Sequence, residues 1–288
     1  PARRYTVHPD DSDLSAAADL INSARKPFFV GGTGVGFSVC GSCLAGFMEK
    51  TGMPFQLLNY GRGELPDKHP LSLTETGSIG LMTSIQQADV IVAAGLRFNW
   101  ILQSGAIIPP SAKVVRIDID PHEIDRNRMA DVGLVGDVGS VLSQLTPLLN
   151  QRDHSGWIET LRAASSSLLD YEIRMRANPS DPIHPLRLVA RIQEFAGEDA
   201  LYIADGGDTV YFGITGFSSR HRAGVIGTAS GLLGCLGTGI PFAMAAKLAR
   251  PERKVILLNG DGSMGFNAME FDTMVRHNIP IVCVVNND

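Results

Sequence analysis

The stretch Lys254-Val-Ile-Leu-Leu-Asn-Gly-Asp-Gly-Ser-Met264 runs from an apolar segment straight into a glycine-flanked aspartate. Val255 to Leu258 have the composition of a strand buried on both faces. Asn259-Gly260-Asp261-Gly262-Ser263 leave its carboxyl end. A helix is expected through about Arg276, and Pro280 opens a second strand, Ile281 to Val285, followed by Asn286-Asn287-Asp288. Strand–helix–strand units are right-handed and bring both strand ends to one sheet edge. Adjacent strands lie about 4.8 Å apart. Asp261 and Asn287 or Asp288 are therefore expected side by side, although 26 and 27 residues separate them.

A carboxylate beside an amide or a second carboxylate is a set of hard oxygens. It suits Mg²⁺ or Ca²⁺, which take six or more oxygens and often share them with a substrate phosphate. Gly260 and Gly262 let backbone approach closely, and the N-terminus of the following helix favours phosphate. No Lys-Ser/Thr follows the glycines, so this is not a Walker loop. The spacing points to a metal that anchors a diphosphate; the competing reading is an ordinary turn after a strand.

Working outward, the chain alternates strands and helices twice. Residues 1–12 have no apolar period and read as a linker. From 13 to about 150 come the helix "DLSAAADLINSA", the strand "PFFVGG", the helix "CLAGFMEKTG", then "PFQLLN", "DVIVAAG" and "AKVVRIDID" as strands, closed by "GLVGD" and "SVLSQLTPLL". Val/Ile-rich strands between helices predict a parallel sheet covered on both faces. Residues 151–182 are polar and helical, break at Pro179 and Pro182, and read as a connector. From 183 a second unit starts: helix, strand "ALYIAD", glycine loop, helix, "KVILLN", helix, "IVCVV". The expected fold is thus α/β, with two three-layer parallel-sheet domains, the first Rossmann-like and the second shortened at its carboxyl end.

Composition narrows the function classes. With 288 residues, 44% hydrophobic, 19% charged and a net charge of −5, the chain is globular and carries no basic surface suited to nucleic acid. From Ala223 to Ala246 no residue is charged, but six glycines and Pro241 make a continuous membrane helix unfavourable. That stretch reads as a buried glycine loop running into a helix from about Ile240, and no membrane span is expected. Four cysteines and no signal peptide favour a reducing, cytoplasmic setting. Cys40-Gly-Ser-Cys43 lacks the second ligand pair of a zinc site; packing near a turn is favoured over a redox dithiol. Gly31-Gly32-Thr33-Gly34-Val35-Gly36 follows a strand, yet Phe37 stands where a dinucleotide fingerprint needs its third glycine. No acidic residue closes the next strand. A structural turn is the better reading there, although crevices at strand ends of such sheets bind ligands generally.

"GDGS" followed by "NND" resembles the thiamine diphosphate motif of thiamine-dependent enzymes. "SGLLGCLGTGIPFAMAAKLA" is similar to the companion segment of that family, and "ADGGD" (Ala204 to Asp208) to a loop near the diphosphate. "GRGELPDKHPL", "VVRIDIDPHEIDRN" and "DVGLVGD" resemble the central domain of the acetolactate synthase-like branch, which includes the 2-hydroxyacyl-CoA and benzaldehyde lyases. The resemblance covers almost the whole chain. It implies a thiamine diphosphate- and Mg²⁺-dependent lyase or transferase that makes or breaks carbon–carbon bonds beside a carbonyl. The implied substrates are small 2-oxo or 2-hydroxy acids, CoA-linked in some members, and the implied assembly is a homodimer or homotetramer. Asp261 with Asn287 or Asp288 would hold the metal. Gly260, Gly262 and Ser263 would hold the diphosphate, helped by backbone at Gly206 and Gly207. Leu236 would prop the V-shaped cofactor, with Gly234 and Cys235 lining its pyrimidine; plain core packing of Leu236 is the alternative. Arg97 in "GLRFNW" is similar to a flavin-contacting stretch, but "LTETGSIG" departs from the flavin enzymes and FAD is not expected. His184 reads as structural, whereas His221 and Arg222 could face substrate or solvent.

The family's catalytic glutamate comes from an N-terminal domain of a partner subunit, so no catalytic residue is assigned here and this chain alone is expected to be inactive. Carboligation by it with added cofactor would overturn that expectation. The rival readings are a 2-oxoacid decarboxylase and a non-catalytic nucleotide-binding module.

Overall fold

A computed structural model describes residues 7–228 and 234–287. The chain divides into two compact units between Leu168 and Leu169. The first holds five parallel strands: β1 (Pro27–Gly31), β2 (Phe55–Leu57), β3 (Val90–Ala94), β4 (Lys113–Asp118) and β5 (Val132–Val135), in the order β2-β1-β3-β4-β5. Successive side chains of a strand point to opposite faces. Phe29, Val92 and Val115 accordingly pack on one face with Leu14, Phe47 and Leu142 from the helices Asp11–Ser23, Gly41–Thr51 and Val138–Leu145. Phe28, Ile91 and Val114 pack on the other with Leu81, Ile85, Trp157 and Leu161. Both faces being buried explains why these strands read as unbroken apolar runs.

Trp157 and Leu161 lie on the helix Ser155–Ala164, inside the segment expected as a connector. That expectation is corrected: burial of the indole, whose Nε1 donates to the Pro27 carbonyl at 2.9 Å, ties this helix to the first core. Arg116 is fully buried within β4. It is tolerated because its guanidinium donates to the carbonyls of Ile124 and Arg126, lies 4.0 Å over the Phe98 ring and faces the Glu123 carboxylate at 3.7 Å.

The second unit holds β6 (Leu201–Asp205), β7 (Val225–Gly227), β8 (Val255–Gly260) and β9 (Val282–Asn286), all parallel, in the order β7-β6-β8-β9. Tyr202, Ile256 and Leu258 face Val189, Ile192 and Phe217; Ile203, Val255 and Leu257 face Ile240, Ala243 and Met274. Two elements here escape the sequence reading, the helix Asp208–Gly216 and the strand β7. β7 lies in the stretch expected as a glycine loop. The helix after that stretch runs Gly239–Ala249.

Candidate functional site

In the second sheet the chain reverses direction between β6 and β8, since β7 lies on one side of β6 and β8 returns to the other. Open parallel sheets bind ligands outside the strand carboxyl ends at such a reversal. The register pairs Asp205 with Asn259 and Gly260 with Asn286. Gly206 and Gly207 therefore follow the end of β6 beside Gly260, while Asp261 and Asn287 are the next residues beyond the Gly260–Asn286 pair. Asp261, Gly262 and Asn287 are exposed. Gly206 has φ +125°, which side-chain-bearing residues rarely adopt, and a Cβ there would come within 3.3 Å of the Gly260 nitrogen. A Cβ on Gly207 or Gly262 would meet nothing within 4 Å. The crevice has open space in front of these two glycines.

Ser263 is buried, and its hydroxyl donates to Asn259 Oδ1, with the Gly260 carbonyl a second acceptor within reach at 3.0 Å. Its side chain braces the strand end, so what it can offer a ligand is backbone. Asp261 Oδ1 accepts from the Gly262 amide at 2.7 Å. Among the described residues no three His, Cys, Asp or Glu side chains converge as a metal cluster. A metal here would rest on the Asp261 carboxylate, the neutral Asn287 oxygen and a ligand's own phosphate oxygens, a set that suits Mg²⁺. Asp288 lies outside the described residues.

The loop with Gly234, Cys235 and Leu236 is exposed, Leu236 to 40%. The expectation of a buried glycine loop, and the core-packing alternative for Leu236, are corrected at these positions. The loop is nonetheless fastened. Gly237 has φ +86° and sits so close to Phe266 that a Cβ has no room. Asn267 Nδ2 donates to the Gly237 carbonyl. Asp205, fully buried, accepts from the Gly206 amide at 2.8 Å and the Gly239 amide at 2.7 Å. Sequence reasoning assigned no role to Asp205 or Asn267. The available signals were the position of Asp205 in "ADGGD" at a strand end and the four-residue spacing of Asn267 from Ser263 along one helix face.

The reversal point of the first sheet, between β1 and β3, is closed instead. The Gly32 amide donates to the Ala94 carbonyl and the Gly34 amide to Gly95, each at 2.9 Å. A Cβ on Gly34 would stand 2.6 Å from the Gly95 α-carbon. The amides that a pyrophosphate would need are bonded within the fold. Nearby, Arg97 pairs with Glu123 at 3.4 Å. Burial pushes the Cys40 thiol up to about 12, opposite to the depression a redox dithiol requires. His184 caps the helix Pro185–Ala196 by accepting from the Leu186 amide at 3.2 Å. His221 faces Asp199 at 3.3 Å, at the amino ends of β6 and β7 and away from the crevice.

Residues 14–145 match the family model for the central domain of thiamine pyrophosphate enzymes, and residues 205–288 match that for their C-terminal TPP-binding domain. The chain belongs to the thiamine pyrophosphate enzymes. It is 33% identical over 283 residues to an acetolactate synthase large subunit of Mycobacterium tuberculosis, covering 97% of this chain and 50% of that one. It is 31% identical over 296 residues to 2-hydroxyacyl-CoA lyase 1 of Mus musculus, covering 97% and 49%. A 2-hydroxyacyl-CoA lyase of Oryza sativa is 30% identical, covering 96% and 49%. The chain spans about half the length of these relatives. The second matched region starts at Asp205 and takes in every residue of the crevice. The open Gly207 and Gly262, the exposed Asp261 and Asn287, and the exposed apolar side chain of Leu236 fit a diphosphate-bearing cofactor whose rings need a side chain to rest on. Among the described residues no helix is long and apolar enough to cross a membrane.

Proposed function

We propose that the β6/β8 crevice binds thiamine diphosphate through Mg²⁺. Asp261 and Asn287 would supply protein oxygens to the metal, with Asp288 as the alternative second ligand. Gly206, Gly207, Gly260, Gly262 and the Ser263 backbone would lie against the diphosphate. Leu236 would support the rings, with Gly234 and Cys235 beside them. Bound there, thiamine diphosphate supplies the nucleophilic carbon and the electron sink for making or breaking a bond next to a carbonyl. The protein's part is to anchor and orient it. By analogy with the acetolactate synthase and 2-hydroxyacyl-CoA lyase relatives, the substrate is a small 2-oxo or 2-hydroxy acid, free or CoA-linked. The assembly proposed is a homodimer or homotetramer in the cytoplasm.

The observation that carries this reading is the Gly260–Asn286 register, with Asp261 and Asn287 just beyond it at the reversal point. Isothermal titration tests it. Thiamine diphosphate should bind only with Mg²⁺, and Asp261→Ala should weaken binding by about a hundredfold. Equal affinity with and without Mg²⁺, or an Asp261→Ala protein that binds as wild type, would overturn it. A nucleotide-binding module is disfavoured by the bonded amides of Gly32 and Gly34. Chemistry on a 2-oxoacid by decarboxylation alone is the remaining alternative, separated by product analysis.

A further inference from the structure

Two side chains outside the ligand set converge on one loop. The segment 234–238 leaves residues 229–233 and enters the helix Gly239–Ala249. Its Cys235 and Leu236 are exposed, so burial of those two side chains does not fix its shape. What fixes it comes from both sides of the crevice. From the end of β6, the buried Asp205 carboxylate takes the Gly239 amide on one oxygen and the Gly206 amide on the other. From the helix Asp261–Asn267, the Asn267 amide group takes the Gly237 carbonyl, and Phe266 fills the space a Gly237 side chain would need. Apart from the Phe266 packing, these are hydrogen bonds between a side chain and backbone, the kind that sets loop geometry most directly.

We infer that Asp205 and Asn267 are positioning residues that hold the Leu236 loop in register with the diphosphate-anchoring edge. The inference rests on the proposed binding of thiamine diphosphate and deepens it. Asp205 links the loop to Gly206, on the diphosphate side of the crevice. Asn267 links it to the helix that begins at Asp261, the proposed metal ligand. The two halves of the ligand are thereby set apart: Asp261, Asn287 and the glycines address the diphosphate, while the fastened loop addresses the rings.

This division predicts a split in affinities that a general loss of structure would not give. In the full polypeptide, Mg²⁺-dependent binding of thiamine diphosphate and of inorganic pyrophosphate is measured side by side by calorimetry. Asn267→Ala removes the donor to Gly237, and Asp205→Asn places an amide N–H₂ against a backbone N–H. Each should raise the thiamine diphosphate Kd about five- to tenfold; Asn267→Ala should leave pyrophosphate within about twofold of wild type, whereas Asp205→Asn, which also frees the Gly206 amide, should weaken pyrophosphate by a smaller factor than thiamine diphosphate. Asp261→Ala should weaken both ligands together. Circular dichroism melts control for folding. If Asp205→Asn fails to fold, Asn267→Ala alone decides, because its side chain is only partly buried. Equal losses for the two ligands in Asn267→Ala, or no loss for either, overturn the positioning role while leaving the proposed function standing. A wild-type protein that binds neither ligand overturns both.

Discussion

The two sheets meet the same topological situation and resolve it in opposite ways. Each reverses strand order once, at β1/β3 and at β6/β8, and each places glycines there. In the first, glycine hydrogens are pressed against backbone: Gly34 against Gly95, Gly36 against the Tyr60 carbonyl, Gly61 against the Gly32 carbonyl. In the second, Gly207 and Gly262 face open space. The comparison teaches that a glycine cluster after a strand signals close approach of something, which is either the protein's own backbone or a ligand's phosphate. The neighbours decide which.

Filling the closed crevice should produce the largest effect. A methyl at Gly36 would fall on the Tyr60 carbonyl, where only backbone could give way. Gly36→Ala should destabilise the first unit by about 3 kcal/mol, at the upper end of overpacking costs. Urea unfolding followed by tryptophan fluorescence reads this directly, since Trp157 and Trp100 both belong to that unit. An unchanged midpoint would break the claim that this crevice is shut by backbone contact.

Part of this contrast is legible in sequence and part is not. The β8–β9 unit was readable because unbroken Val/Ile/Leu runs, the Gly-Asp-Gly turn and Pro280 each point to the same boundaries. β7 was not, because three residues within a glycine-rich stretch are too few to show a period. The helix Asp208–Gly216 has β-branched residues, one internal glycine and another as its last residue, a poor intrinsic helix. It forms because those glycines permit close packing: Gly213 rests on Ala204 of β6 and Gly216 on Val189. Trp157 lies in a segment that reads as a polar connector, and only the fold shows the Pro27 carbonyl that takes its indole N–H. In the site, spacing brings Asp261 to the same sheet edge as Asn287 or Asp288 and leaves one residue of register open, which the Gly260–Asn286 pairing supplies. Asp205 and Asn267 could not be placed this way, because their partners are backbone groups of a loop whose path the sequence leaves open.

Adding the same methyl to the open crevice should separate stability from binding. Gly262 lies in the helix Asp261–Asn267 with no neighbour within reach, so Gly262→Ala should leave the urea midpoint unchanged or raise stability by up to about 1 kcal/mol. Its methyl would occupy the space proposed for the diphosphate and should raise the thiamine diphosphate Kd about tenfold. Loss of stability without loss of affinity would reverse the assignment of the two crevices.

The smallest effect sought is chemical rather than energetic, and it contrasts a cysteine near each crevice. Cys40 lies close behind the first glycine cluster, buried, with its Sγ directed at the Val35 carbonyl at 3.6 Å. Burial raises its thiol to about 12, so at pH 8 the thiolate fraction is about one in ten thousand. Cys235 is exposed on the loop beside Leu236. Alkylation with iodoacetamide at pH 8, mapped by peptide mass spectrometry, should therefore label Cys235 first and Cys40 only after unfolding. Thiamine diphosphate with Mg²⁺ should slow Cys235 and leave Cys40 unaffected, since Cys40 is buried beside the first glycine cluster and away from the proposed cofactor crevice. Protection of Cys40 by the cofactor would mean that the closed crevice responds to occupation, and the contrast between the two sheets would have to be redrawn.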